Sequence, residues 1–264
     1  MLKFSKANAK IEALSQVDEL KPYLDGKRKI YSLDLLSGYS CPFAHDCLSK
    51  AVADENGKRT IKDGLHTQFR CFSASQEVQY NNVYNLRKSN YDILKADKDN
   101  TDRMFLNLWE AMPSNTGIVR IHVAGDFFNE NYFKAWIRLA TQYQGILFYA
   151  YTKSLRYWAN NRDDVPDNFV LTASYGGRDD NMIDTHSLRS AKVIFSETDA
   201  NGLEIDHDDS HAARPSLVNK DFALLIHGTQ PKGTEAAQAL KTLKGKGSYS
   251  RKKKPELTYG EVMV

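Results

Sequence analysis

What this 264-residue chain lacks narrows it first. Nowhere do about 18 apolar residues run together, so no membrane-spanning helix and no membrane partner are expected. Charged residues begin at Lys3 and no apolar core follows them, which argues against a secretory leader. No Pro-, Gly- or Ser-rich stretch separates two apolar halves. One domain is therefore expected over residues 29–244, with an N-terminal arm over 1–28 and a basic tail over 245–264. Neither sign of charge dominates: 36 Lys and Arg stand against 33 Asp and Glu, for a net charge of +3. That balance is too mild to argue for nucleic acid by itself. Cysteine is scarce as well. An odd count of three without a leader fits a reducing compartment, where clustered cysteines act more often as ligands or nucleophiles than as disulfides.

What is present reads as an alternation of strands and helices. Apolar or β-branched runs begin near residues 30, 118, 146, 169, 192 and 223. Between several of them the spacing turns helical, as in YFKAWIRLATQY, which places Tyr132, Phe133, Trp136 and Leu139 on one side with Asp126 and Asn129 before it as caps. Residues 76–112 have room for two helices. Buried parallel strands need such continuous apolar runs, and six β/α units predict a partial (β/α)6 TIM-like barrel. In parallel barrels the chemistry gathers where the strands end. Those ends present Cys41 and Cys47, Asp126, Thr152 and Lys153, Ser174 and Tyr175, Glu197 and His227. A ring of polar groups at one mouth is expected of an active or cofactor site.

All three cysteines lie early, in SLDLLSGYSCPFAHDC and FRCFSAS. Five residues separate Cys41 from Cys47 and twenty-three separate Cys47 from Cys71. Closed zinc sites usually take four ligands in two close pairs, so a four-cysteine site is excluded. A cluster held by three thiolates satisfies the count. So does zinc with three cysteines and a histidine, His45 or His66. A packed trio of small apolar side chains and a catalytic thiol are the remaining readings.

Other residues are weighed against plainer roles. His122 reads first as a core histidine, yet its alternation with Arg120 puts both on one strand face, where Asp34 or Glu197 would partner them. Lys153 suits an anionic ligand or a solvated strand end. His207, Asp208, Asp209 and His211 read as an exposed acidic loop, which Arg214 to Ser216 would close over the mouth. The aromatic run FYAYTKSLRYW and the basic run Arg251–Lys254 are the features through which nucleic acid would bind.

The segments SLDLLSGYSCPFAHDC, HVAGDF and FYAYTKS resemble the phage gene product 88 family over about residues 30–230. The resemblance implies a cysteine loop after the first strand and a place in the cytoplasm of an infected host cell. The same start is similar to radical S-adenosylmethionine enzymes, whose three loop cysteines hold a [4Fe-4S] cluster. Ala124, Gly125 and Asp126 stand where those enzymes carry a glycine-rich segment ending in an acidic residue. Cys71 lies outside the tight loop those enzymes use. The resemblance thus implies a cluster on Cys41, Cys47 and Cys71, with His227 as a substitute fourth ligand. A mouth of Asp126, His122, Lys153 and Glu197 would surround it. Adenosylmethionine binding, an enzyme or a one-electron carrier, and a redox partner all follow as open versions of that reading. A zinc-stabilised module that binds nucleic acid or a partner is the alternative.

Overall fold

The computed structural model describes residues 1–243, so the basic tail and its Arg251–Lys254 run lie outside the described residues. The N-terminal segment supplies strand β1 (Ser5–Lys6) and a short helix α1 (Ala9–Glu12). The first apolar run forms β2 (Lys29–Leu33), and a hairpin of β3 (Ser49–Ala53) and β4 (Arg59–Asp63) follows the cysteine loop. Three helices come next, α2 (Phe72–Gln79), α3 (Asn81–Ala96) and α4 (Thr101–Ala111), one more than the spacing suggests. Then β5 (Thr116–Ile121), α5 (Glu130–Gln142), β6 (Leu147–Thr152), α6 (Leu155–Asn160) and β7 (Phe169–Ser174) alternate. The described residues end with α7 (Asn181–Thr185), β8 (Ser190–Ile194), β9 (Glu204–Ile205), α8 (Ser210–Ala213), β10 (Phe222–Leu225) and α9 (Glu235–Thr242).

All six expected strands exist, and they lie side by side in chain order. The eight-stranded sheet runs β1-β2-β5-β6-β7-β8-β10-β9, parallel throughout except where β1 joins β2 antiparallel. The fold is mixed α/β around a mostly parallel sheet. The expected partial TIM-like barrel reduces to this coarser architecture. Residues 1–28 lie against the core, where β1 pairs with β2 and Leu2, Ile11, Leu14 and Leu20 are buried.

Alternation along the strands divides the core in two. Val119, Ile121, Phe148, Ala150, Phe169 and Leu171 face the helices, where α5 brings Tyr132, Phe133, Trp136 and Leu139 to full burial. Asn129 is the cap of α5, its side-chain oxygen accepting the N–H of Tyr132 at 2.8 Å. Asp126 is instead engaged with β6. On the opposite face Ile118, Tyr149, Val170 and Phe222 pack against Ile11, Leu14 and Leu20 of the N-terminal segment and Ala212 and Ala213 of α8. That packing fills one end of this face and leaves a cavity where the strands end.

Candidate functional site

The cavity has a volume of about 210 Å³. Its wall includes Cys41, Cys47 and Cys71, together with Arg120, His122, Asp126, Lys153 and His227. Local structure explains how cysteines thirty residues apart meet there. After β2 the chain turns at Gly38 (φ +72°), where an added Cβ would lie 2.5 Å from the Ser49 carbonyl oxygen. Only glycine fits that turn. Its N–H donates to Cys41 Sγ at 3.4 Å. Farther along, the carbonyl oxygen of Asp46 accepts the N–H groups of Gln68 (2.7 Å) and Phe69 (3.1 Å), which carries the returning chain back beside Cys47. The Arg70 guanidinium pairs with Asp63 on the hairpin, and Cys71 then occupies the N-cap position of α2.

A buried carboxylate ties the two cysteine segments together. Glu77 of α2 is fully buried and accepts the Ser37 N–H (3.1 Å) and Ser37 O–H (2.7 Å) from the turn before Cys41. Arg87 of α3 supplies the counter-charge at 3.1 Å. It also donates to the Ser73 carbonyl and the Gln76 side chain of α2. Asn90 of α3 donates to the Asp34 carbonyl oxygen at 3.2 Å and so holds the end of β2 as well.

The thiols are half-buried residues with raised pKa values. For Cys71 burial is the largest cause and the Cys47 sulfur adds to it, while the N–H groups of Ser73 and Ala74 oppose the rise, which reaches about 11. Burial also lifts Cys41, with Asp126 and the other two cysteines adding to it. At Cys47 the charge of Lys153 works against burial. Thiolates are therefore disfavoured in the metal-free protein, and loading of a metal would release protons.

The remaining expected site residues separate. Asp126 bridges strand ends: its carboxylate accepts the Phe127 N–H (2.8 Å), the Thr152 O–H (2.6 Å) and the Lys153 N–H (2.8 Å). Burial raises its pKa to about 6 against those bonds. Lys153 Nζ donates to Ser174 Oγ (2.7 Å) and to the carbonyl oxygens of Ser174 and Tyr175, so it clamps the end of β7. His122 ends β5 with φ +66°, which breaks the alternation. Its Nε2 meets Tyr132 Oη at 3.0 Å and its ring packs edge-on to Phe127, so it is chiefly a core histidine that borders the cavity. Burial, then Arg120, hold it neutral, at a pKa of about 3. His227 lines the cavity against the Phe72 ring (4.6 Å), with its pKa lowered to about 4 by burial and then by Lys10 and Arg120. Glu197 is a correction: it is exposed on a 3-10 turn beyond β8 and does not border the cavity. The acidic loop is another, because Asp209 and His211 are buried. Arg214 and Ser216 bind Glu19 of the N-terminal segment rather than closing the mouth. His45 and His66 stack at 4.7 Å outside the cavity wall. Among the described residues no group of three or more His, Cys, Asp or Glu side chains is arranged to hold a metal ion.

The sequence profile described as gene product 88 matches residues 2–245. The chain belongs to the phage gene product 88 family. Comparison with the curated proteins and with the solved structures gives no match. The family assignment thus rests on nearly the whole described chain, and the likeness to radical adenosylmethionine enzymes gains nothing from it. Among the described residues of this gene product 88 protein, no helix is long and apolar enough to cross a membrane.

Sequence reasoning missed Ser37, Glu77 and Arg87, and only charges of opposite sign on the inward faces of two successive helices, Glu77 on α2 and Arg87 on α3, could have signalled them. Glu77→Ala leaves Arg87 without its counter-charge, and a stability loss of about 3–5 kcal/mol is expected in urea unfolding. A loss below about 1 kcal/mol would contradict the clamp. Iodoacetamide provides a second check. With its pKa moved from 9.0 to about 11, Cys71 in metal-free protein should alkylate about a hundredfold more slowly at pH 8 than an ordinary thiol, its rate rising with pH. Equal rates would remove the shift.

Proposed function

We propose that this phage protein holds a [4Fe-4S] cluster through Cys41, Cys47 and Cys71, at the strand-end mouth of a sheet that curls as a partial (β/α)6 barrel. The observation that carries the reading is the convergence of three thiols from two separate segments on one cavity. Thiolates select zinc, copper(I) or iron–sulfur clusters. A single tetrahedral zinc would bring its sulfurs to about 3.8 Å from one another, given bonds of about 2.3 Å. A closed zinc site takes four ligands, whereas three thiolates satisfy the count for a cluster with one iron left open. His227, on the same wall, is the candidate for the fourth position; otherwise that position stays open to an external ligand.

A cluster, when bound, supplies one-electron chemistry at a potential set by nearby charge, N–H groups and exposure. The chain's own groups carry those terms. Gly38 N–H stabilises negative charge at Cys41, the start of α2 does so at Cys71, and the Lys153 ammonium does so at Cys47. Asp126 and Lys153 hold the ends of β5, β6 and β7 in one arrangement, so the mouth keeps its shape as charge changes. A cavity with polar groups around the thiols favours an enzyme acting on a small molecule over a carrier, which needs no substrate space. Adenosylmethionine as the ligand of an open iron is the radical-enzyme form of this reading. A reducing cytoplasm of an infected host suits this reading, since free thiols persist there.

Protein purified without oxygen should contain about four irons and four sulfides per chain. It should be brown, and should lose most of its iron in Cys71→Ala. Cleavage of added adenosylmethionine by the reduced protein would support the radical form, and its absence would sink that form alone. One zinc without sulfide would overturn the cluster and leave the zinc-stabilised binding module.

A further inference from the structure

The cavity has a second pole that the thiols do not use. Arg120 of β5 and Tyr151 of β6 lie on adjacent strands, with the guanidinium 5.1 Å from the Tyr151 ring centre. Both border the cavity, as do Lys10, Asp206 and Asp209. Asp209 is the anchor here. It receives the Arg120 guanidinium, Lys10 Nζ at 3.0 Å and the Tyr149 O–H at 3.2 Å. Asp206 is occupied differently, by the N–H groups of Asp208 and Ala212, each at 3.2 Å.

Two donors in this set have no acceptor. The Arg120 Nε–H and the Tyr151 O–H are both buried and both unpartnered. A buried donor without a partner costs about 1–3 kcal/mol, and two of them lie on the wall of one cavity. Both side chains line the same cavity, so a ligand oxygen bound beside them would find an unused donor on each. Charge then decides what kind of oxygen. Lys10, Arg120 and nearby Arg189 stand against Asp206, Asp209 and Asp221, so a carboxylate or phosphate would add an uncompensated negative charge in a buried place. A neutral carbonyl adds none. Val193, Leu224 and Ile226 supply apolar wall beside these groups.

We infer that this pole is a subsite for the carbonyl oxygen of an uncharged amide carried on an apolar body. In relation to the cluster reading, on which this part rests, the body would extend toward the thiols and the amide would fix which end of the molecule meets them. The subsite itself stands on Arg120 and Tyr151 alone.

Benzamide, benzoate and toluene are matched probes, titrated by ligand-observed NMR into full-length protein purified without oxygen, with iron assayed on each sample. Tyr151→Phe removes only an unpaired hydroxyl, so its melting temperature should equal or exceed that of the parent. Benzamide should bind more tightly than benzoate or toluene and should weaken about fivefold in Tyr151→Phe, the usual worth of one hydrogen bond. Benzoate binding more tightly than benzamide, or benzamide affinity unchanged in the variant, would overturn the subsite, as would no benzamide binding at all. Tyr151-dependent benzamide binding in samples without iron would uphold the subsite while the cluster reading falls.

Discussion

The carboxylate of Glu77 is the contact on which the thiol arrangement depends. It lies in the protein interior with Arg87 as its counter-ion and both polar groups of Ser37 as its donors. Through it the helix that begins at Cys71 is fastened to the turn that precedes Cys41. A buried ion pair of this kind adds little net stability against a well-packed apolar substitute, but removing one partner is costly. Its value here is geometric. It sets the distance between two chain segments that no sequence-local interaction would hold together, and α3 extends the same clamp to the end of β2 through Asn90.

Two poles follow from that frame. At the strand ends the thiols face Lys153 and the Asp126 bridge, and farther in the Arg120–Asp209 pair sits against Tyr149 and Tyr151. The N-terminal segment matters to both. It fills one end of the inner face with Ile11, Leu14 and Leu20, and its Lys10 reaches Asp209. The segment expected to lie across one end of the core thereby also contributes Lys10 to the cavity wall. Gly125 (φ +94°) at the mouth shows how closely the parts approach, since a Cβ there would stand 2.6 Å from Ser40 Oγ.

Elements whose reason is local were legible in the sequence. The six parallel strands announce themselves as apolar runs, and α5 by its spacing and its Asn129 cap. The convergence of polar groups at one mouth was legible too, since Cys41, Cys47, Cys71, Asp126, Lys153 and His227 all border the cavity. What escaped depends on distant partners. The loop at Asp208–His211 has an exposed composition, but Arg120 and Lys10 draw Asp209 inside. His122 alternates with Arg120 in the sequence, yet a positive φ ends the strand and turns its ring to Tyr132 and Phe127. The β3–β4 hairpin is polar and pairs only with itself, so no apolar run marks it. Glu197 fell outside the site because β8 stops at Ile194 and a capped 3-10 turn carries the chain outward.

The most direct test is anomalous diffraction at the iron K edge from crystals grown without oxygen. The account predicts one iron peak group inside the cavity, within bonding distance of the sulfurs of Cys41, Cys47 and Cys71 together. No iron signal there, or iron bonded to fewer than all three sulfurs, would contradict it.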